Sequence, residues 1–333
     1  MNVLIVRLGA LGDLVHAVPA AAAIRAAHPD ARIDWLVDAK HRAIVDLVAV
    51  VDRSIAIERR SAGGWFDVVK RLRGEHYDWA VDFQGLIKSG LLARASGARR
   101  IAGFSKDQLR ETSARVFYTD VEGLPPDGRE GHVLRKNLRL LRTMGIEDAR
   151  VTFPFRRVDS PALAAVRTGA EGDRPFALVN PGAAWPNKRW PPADYGHVAA
   201  FLRDIHGLRS FVLWGPGETA TAQAVVDASE GAARLAPQTT VADILALSAA
   251  AAIVVSGDTG PLHIATAAGA PTVSIFGPTD PDRNGPFDPA DLTVSRFPAC
   301  RCHYRRRCHE HNWCLAGIPA SEVTEAIRQR LAS

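Results

Sequence analysis

Residues 256–263 read Ser-Gly-Asp-Thr-Gly-Pro-Leu-His and follow an apolar run, Ala249 to Val255, that predicts a buried strand. The small apolar residues from Ile264 to Ala270 predict a helix directly behind this turn. At the start of such a helix, free backbone N–H groups and the positive end of the helix dipole face outward. Gly257 and Gly260 would let a phosphate approach the main chain closely. The stretch therefore has the features of an anion-binding strand-to-helix turn.

Asp258 is the unexpected residue of this turn, because a carboxylate repels a phosphate unless it caps N–H groups or binds a sugar hydroxyl. A simpler interpretation is that Asp258 or Thr259 does no more than cap the helix. The stretch by itself leaves both interpretations open.

The same strand–turn–helix pattern repeats in two parts of the chain, one N-terminal to this stretch and one that contains it. The predicted strands of the first part are Val3–Val6, Arg32–Val37, Ser54–Ile57, Trp79–Asp82 and Arg100–Gly103. Those of the second part are Phe176–Asn180, Ser210–Trp214, a short strand near Arg234, Ala252–Ser256 and Thr272–Phe276. Strands that alternate with helices predict an α/β fold with parallel sheets covered on both faces.

The length of 333 residues exceeds that of a single hydrophobic core and predicts two domains. A Pro-, Gly- and Asp-rich loop at 123–131 and a polar connector after it separate the two alternating regions. We expect a first Rossmann-like domain at 1–155, a linker at 156–174 and a second at 175–333, with the last helix free to pack back across the first domain. Ligands of parallel sheets bind beyond the carboxyl ends of the strands, so two such domains would enclose a cleft.

Composition and charge exclude several classes of protein. The hydrophobic share of 47% and charged share of 23% are ordinary for a globular enzyme. The net charge of +5 favours acidic ligands or an anionic membrane surface but is too small for a nucleic-acid-binding protein without a clustered basic stripe. The N-terminus lacks the pattern of an export signal, and the longest apolar run, Ile244–Val255, is too short to span a bilayer. We expect a cytoplasmic protein, free or peripheral on the membrane.

The loop after the first strand offers a second candidate group. Gly9 and Gly12 resemble part of a dinucleotide fingerprint, but Asp13 stands where the third small residue belongs, and a carboxylate there opposes pyrophosphate binding. Asp13 is then either a helix cap or, at the mouth of a cleft, a general base for a substrate hydroxyl.

Two further strand ends carry polar groups. Residues 180–190 are rich in turn-forming residues and contain Lys188 and Arg189. The ammonium of Lys188 and the planar guanidinium of Arg189 would both suit a phosphate. The simpler interpretation is a solvent-exposed basic loop. Glu218 begins a helix after Trp214-Gly-Pro-Gly217 and would accept hydrogen bonds from ribose hydroxyls, or compensate the helix dipole.

All four cysteines of the chain, Cys300, Cys302, Cys308 and Cys314, lie within fifteen positions. In a reducing compartment such clustering points to zinc or iron rather than disulfides, but the spacing lacks paired C-x-x-C motifs. We predict no metal site here and leave bound zinc or iron as the alternative to free thiols.

Five motifs in order resemble the ADP-heptose:lipopolysaccharide heptosyltransferases. They are Val3-Leu-Ile-Val-Arg7 with Leu11-Gly-Asp13, Asp82-Phe-Gln-Gly-Leu-Ile-Lys-Ser89, Lys188-Arg-Trp190, Asp258-Thr-Gly260 with His263, and Phe276-Gly-Pro-Thr-Asp280. Within that family the run from Asp82 and the segment Arg110 to Tyr118 resemble the heptosyltransferase I branch. Leu8-Gly-Ala-Leu11 lacks the hydroxyl residues that are usual there in that branch, and Pro261 and the cysteine-rich tail resemble other branches. The resemblance therefore favours heptosyltransferase I and leaves the acceptor open.

The resemblance implies a GT-B fold, with two facing Rossmann-like domains, an N-terminal one for the acceptor and a C-terminal one for the ADP-sugar. It implies inverting transfer of a heptose from ADP-heptose to a Kdo residue of the lipopolysaccharide inner core, with lipid A-Kdo at the inner membrane as partner and neither a cofactor nor nucleic acid. The site residues that it implies are Asp13 as general base, Lys188, Glu218, Asp258, Thr259, Gly260 and His263 for the donor, and Arg59, Arg60 and Arg110 for the acceptor. The oligomeric state is not indicated.

Three alternatives follow from the same patterns. The chain could transfer heptose to a different acceptor, as heptosyltransferase II does. It could be a nucleotide-sugar epimerase of the same architecture, which needs no acceptor. It could also bind a nucleotide sugar without catalysis, in which case Asp13 would matter only as a cap.

Overall fold

A computed structural model describes residues 1–58, 62–125, 127–129, 131–147, 149–169, 174–309 and 313–333 of the chain. Contacts divide it into two compact units, Met1–Arg156 and Arg157–Ser333, which we call the first and second domain. Among the described residues, no helix has the length and apolar character needed to cross a membrane.

The first domain is built on a sheet of six parallel strands. In chain order these are β1 Asn2–Val6, β2 Arg32–Asp38, β3 Arg53–Ile57, β4 Trp79–Asp82, β5 Arg100–Phe104 and β6 Asp120–Glu122. Their spatial order is β3-β2-β1-β4-β5-β6, the order of a Rossmann fold. The helices are α1 Leu11–Val15, α2 Val18–Ala27, α3 Arg42–Asp46, α4 Ala62–Arg73, α5 Ile87–Ala95 and α6 Val133–Leu140.

The second domain repeats this topology. Its strands are β7 Phe176–Asn180, β8 Arg209–Val212, β9 Ala233–Leu235, β10 Ile253–Gly257, β11 Thr272–Phe276 and β12 Leu292–Ser295, in the spatial order β12-β11-β10-β7-β8-β9. Its helices are α7 Pro161–Gly169, α8 Pro192–His206, α9 Thr219–Ala228, α10 Val241–Ala250, α11 Gly260–Ala267, α12 Pro281–Asn284 and α13 Ala320–Ala332. The order is again that of a Rossmann fold, read from β7 at the centre.

The central strands form because their residues are apolar on both faces. Val3, Leu4 and Ile5 of β1 are fully buried, as expected where helices cover both sides of a parallel sheet. The edge strands β6 and β12 were not predicted. β6 reads Asp-Val-Glu and β12 is half-buried throughout, so neither shows the apolar run that identifies a central strand. The predicted fold class, an α/β chain of two Rossmann-like domains, is confirmed.

Helix α13 packs on the second domain, where Val323 and Ile327 join its core beside Leu315. Arg330 Nε lies 2.9 Å from Asp291 Oδ1, and this ion pair is largely buried. The segment expected as a linker, 156–174, contains α7, and Ser160 just before this helix donates a 2.6 Å hydrogen bond to Asp243 Oδ1.

Candidate functional site

The carboxyl ends of three neighbouring strands of the second sheet bring the predicted donor residues together. β10 leads into Asp258, and α11 begins directly behind it at Gly260. β7 leads into the loop that carries Lys188, and β11 leads into the loop that carries Thr279. Because these strands are parallel neighbours, their carboxyl ends meet at one edge of the sheet. The chain thereby assembles a polar cluster from segments far apart in sequence.

Asp258 is the centre of this cluster and is only 6% exposed. Its carboxylate forms an ion pair with Lys188 Nζ. Thr279 Oγ1 donates a hydrogen bond of 2.6 Å to Asp258 Oδ2, and His263 Nε2 lies 3.2 Å from Oδ1. Burial by itself raises the pKa of Asp258, but the hydrogen bond with His263 and the charge of Lys188 outweigh burial, so this pKa lies below its ordinary value. The carboxylate is therefore charged at neutral pH.

The ion pair with Lys188 changes the electrostatic effect of Asp258 on an anion at the start of α11. A lone carboxylate at the start of α11 would repel a phosphate, whereas a carboxylate neutralised by Lys188 holds a cation at the positive end of the helix. Lys188 Nζ also lies 4.7 Å from the centre of the Trp185 ring, which restricts its position. The cluster can thus offer an ammonium group to an anion without moving the backbone.

Thr259 is the residue that precedes α11, and its side chain makes no capping hydrogen bond there. Instead its Oγ1 accepts a 2.9 Å hydrogen bond from Asn180 Nδ2 at the end of β7, and the same amide donates to Ser256 Oγ. Asn180 therefore ties the turn after β10 to the neighbouring strand. Gly260 is the first helical residue, with no side chain between the backbone and a ligand.

Glu218 lies where the loops after β7 and β8 meet. Its Oε2 accepts a 3.0 Å hydrogen bond from the backbone N–H of Gly215. A Cβ placed on Gly182 would overlap the Glu218 carboxylate, so this carboxylate lies directly against the main chain that follows β7. The structure places Glu218 at the same sheet edge as Lys188, one loop further along.

In the first domain, Asp13 is the third residue of the short helix α1 and follows β1 by one loop. Its Oδ2 accepts a 3.1 Å hydrogen bond from the backbone N–H of Ala10, so it does cap the helix start. The same oxygen pairs with Arg7 Nη2 at 2.7 Å, while the side chain stays 36% exposed. Arg7 is nearly buried and also donates to the carbonyl of Phe83 at 2.6 Å. Asp13 is thus both held in place and open to solvent.

A buried network beneath this loop keeps it in position. Asp82 accepts hydrogen bonds from the hydroxyls of Ser89 at 2.8 Å and Tyr118 at 2.7 Å, and from the backbone N–H of Gln84 at 2.9 Å. Gln84 Oε1 in turn accepts from the N–H of Leu8 at 2.8 Å. Burial raises the pKa of Asp82, and the hydrogen bonds from Tyr118 and Ser89 oppose this shift. The predicted motif that begins at Asp82 therefore supports the loop that carries Asp13.

The predicted acceptor arginines are only partly described. Arg110 is exposed and lies in the segment after β5, between two 3-10 helices, Lys106–Gln108 and Thr112–Phe117. Arg59 and Arg60 lie outside the described residues.

The four cysteines all lie between β12 and α13. Cys302 Sγ is 3.0 Å from Cys308 Sγ, and burial and the neighbouring thiols raise the pKa of Cys314 to about 12. Across the ranges that the structure describes, no group of three or more His, Cys, Asp or Glu side chains is arranged to hold a metal ion.

Sequence reasoning did not assign four residues that support these clusters: Thr279, Asn180, Arg7 and Gln84. Asn180 is the last residue of β7, Arg7 directly follows β1, and Gln84 and Thr279 lie in the loops after β4 and β11. A polar side chain at the carboxyl end of a parallel strand was the signal that could have found them.

The profile of glycosyltransferase family 9 (heptosyltransferase) matches residues 65–314, which is most of the chain. This chain belongs to glycosyltransferase family 9. It is therefore an enzyme of the glycosyltransferase class, as predicted, and the resemblance noted in its sequence is confirmed.

Characterised relatives resemble this glycosyltransferase over most of its length. Lipopolysaccharide heptosyltransferase 1 of Pseudomonas aeruginosa is 29% identical over 314 residues, with 91% of this chain and 86% of that protein covered. The Escherichia coli K12 enzyme of the same name is 28% identical, with 90% and 94% covered. Among solved structures, E. coli heptosyltransferase WaaC with ADP matches with a TM-score of 0.79 at 23% identity, covering 99% of this chain and all of that one. That structural likeness supports the GT-B fold class.

Proposed function

We propose that this glycosyltransferase moves a heptose from ADP-heptose to a Kdo residue of the lipopolysaccharide inner core, with inversion at the anomeric carbon. The relatives named lipopolysaccharide heptosyltransferase 1 support the reaction class. The Kdo acceptor is proposed from the motifs that resemble the heptosyltransferase I branch, the run from Asp82 and the segment Arg110 to Tyr118. The observation that carries the donor assignment is the Lys188–Asp258 ion pair at the start of α11, a cation held at a helix N-terminus behind a parallel strand.

The donor diphosphate would bind at this helix start. Lys188 would turn from Asp258 to the phosphates, and the N–H groups of Thr259 and Gly260 would complete the anion site. As ADP leaves, negative charge grows on the β-phosphate, and these same donors stabilise it. Asp258, with His263 and Thr279 still bound to it, would hold the turn and accept a hydrogen bond from a sugar hydroxyl. Glu218 would accept hydrogen bonds from the ribose.

The acceptor hydroxyl would attack the anomeric carbon from the face opposite the leaving ADP, which inverts the configuration. A carboxylate is too weak a base to ionise a sugar hydroxyl in advance, so Asp13 would take the proton late, as the new bond forms. Arg7 fixes the carboxylate for this role and leaves part of it open to solvent. Arg59, Arg60 and Arg110 would bind the acidic groups of the acceptor.

The decisive experiment incubates the purified protein with ADP-heptose and Kdo-lipid A and follows ADP release together with product mass. We expect ADP and heptosylated product in equal amounts, and neither without acceptor. Transfer only to an acceptor that already carries heptose would show a heptosyltransferase II activity. Conversion of the nucleotide sugar without acceptor would show an epimerase, and ADP binding without any turnover would show a non-catalytic protein; either result would overturn the proposal.

A further inference from the structure

One surface of the first domain exposes large apolar side chains from three segments. Phe66 of α4 is 71% exposed, Ile87 and Leu91 of α5 are 44% and 49% exposed, and Val116 in the 3-10 helix Thr112–Phe117 is 77% exposed. Single exposed apolar residues are normal, but a group of four on neighbouring segments is typical of a binding surface. We call these four residues the apolar face.

Helix α5 is in direct contact with the 3-10 helix Thr112–Phe117. A Cβ on Gly90 of α5 would lie 2.7 Å from Phe117, the residue after Val116, so this 3-10 helix packs against the middle of α5. The N–H of Ile87 donates a 2.8 Å hydrogen bond to Glu111 Oε2, just before the 3-10 helix. The exposed apolar residues of α5 and of the 3-10 helix therefore belong to two segments that pack against each other.

Helix α4 extends the surface on the other side of α5. Arg73 Nε at its end donates a 3.1 Å hydrogen bond to the carbonyl of Ala95 at the end of α5. Phe66, Lys70 and Arg73 are spaced i, i+4 and i+7 and so share the face of α4 that reaches α5. α5 repeats the pattern with Ile87, Leu91 and Arg94.

The three segments that carry the apolar face are rich in Lys and Arg, which we call its basic border. Residues 62–73, 87–95 and 110–117 contain seven Lys and Arg residues against two acidic residues. One of those two, Glu111, already accepts the hydrogen bond from Ile87. Apolar side chains bordered by Lys and Arg match the boundary of a bilayer, where apolar groups enter the acyl region and cations meet anionic headgroups.

We propose that the apolar face and its basic border dock the enzyme on a membrane that contains anionic phospholipid. A second copy of this chain fits less well, because pairing the same surface with itself brings two basic borders together. The inference extends the proposed function, since a Kdo-lipid A acceptor would lie in such a bilayer. Helices α4 and α5 also begin at the carboxyl edge of the first sheet, where Asp13 and Arg110 lie.

The test is flotation of the full-length protein with vesicles, without donor or acceptor. We expect binding to vesicles of phosphatidylethanolamine and phosphatidylglycerol, weak binding to phosphatidylcholine alone, and loss of binding at high salt. Ile87→Ser/Leu91→Ser should weaken the binding about tenfold. Lys70→Glu/Arg94→Glu should also weaken binding to anionic vesicles about tenfold. This double variant keeps the exposed apolar residues and so tests the basic border by itself.

Ile205→Ser is the matched control, because Ile205 is 59% exposed on α8 of the second domain, and it should bind vesicles as the wild type does. Circular dichroism would establish that each variant is folded.

Equal vesicle binding by the wild type and both double variants would overturn the proposal. The proposal would also be overturned if Ile87→Ser/Leu91→Ser changed the sedimentation of the protein alone but left vesicle binding unchanged. That result would identify a second copy of the chain as the partner. Turnover with a water-soluble Kdo acceptor should be unchanged in the double variants, which separates docking from the proposed reaction.

Discussion

Lys188 and Asp258 are both nearly buried, so each compensates for the lost hydration of the other. Removing the charge of one partner leaves a buried, unpaired charge, a change that typically costs about 3 kcal/mol or more. The pair therefore has a structural role in the free protein as well as the role proposed with the donor. The two roles can be separated by removing the charges one at a time and then together.

Lys188→Met should lower the free energy of unfolding by about 3 kcal/mol and abolish measurable ADP binding. Adding Asp258→Asn should recover part of the stability, because no unpaired carboxylate is then buried, but should not restore ADP binding. Urea unfolding and calorimetric titration with ADP check the two effects. Recovery of ADP affinity in the double variant would show that Lys188 acts only by neutralising Asp258.

Asp13→Asn tests the proposed base. Asparagine keeps an oxygen that can accept from the N–H of Ala10 but cannot take a proton at neutral pH, so the helix cap should survive. We expect turnover to fall by about 10²- to 10⁴-fold with ADP affinity nearly unchanged. The matched control is Asp30→Asn, an exposed aspartate before β2. Unchanged turnover in Asp13→Asn would exclude proton transfer to this residue.

The lowered pKa of Asp258 predicts a pH dependence of stability. In the unfolded chain this carboxyl takes up a proton near pH 4, at a higher pH than in the folded protein, where its pKa lies below that value. Its contribution to the free energy of unfolding is therefore complete above about pH 4 and is lost as the pH falls through the lower folded pKa. Urea unfolding between about pH 6 and pH 3 should show a steeper loss for the wild type than for Asp258→Asn, whereas parallel curves would contradict the prediction.

At the scale of the elements, the loops after β7 and β8 depend on a close approach of Gly182 to Glu218. Gly182→Ala should push the Glu218 carboxylate away and weaken ADP binding, by about tenfold if one charge-assisted hydrogen bond is lost. Gly317→Ala is the control, since a Cβ there meets no atom within 4 Å and its backbone needs no glycine. Equal ADP affinity in both variants would show that Glu218 does not contact the nucleotide.

The whole molecule consists of two domains, each with its own core, and this has a thermodynamic consequence. If ADP binds only to the second domain, it should stabilise that domain by RT ln(1 + [ADP]/Kd), about 2.7 kcal/mol at one hundred times Kd. Scanning calorimetry should then resolve a transition that shifts upward with ADP and one that does not. An equal shift of the whole profile would mean that the domains unfold as one cooperative unit.

Much of the architecture could be predicted because strand and helix patterns are local. The alternation of apolar strands with helices, the turn at 256–263 and the grouping into two α/β regions follow from residues that are neighbours in the chain. The same reasoning missed β6, β12 and the helix α7, because short, half-buried or polar segments carry weak periodicity.

The sequence by itself determined the fold class, the family and the turn before α11, since each depends on short runs of residues in order. Only the tertiary structure decided what Asp258 does there. Its partners Lys188 and Thr279 lie 70 and 21 residues away, and the parallel pairing of β7, β10 and β11 brings them together at one sheet edge. Pairing order is a property of the packed sheet, so the neutralised carboxylate at the helix start could not be read from the turn alone.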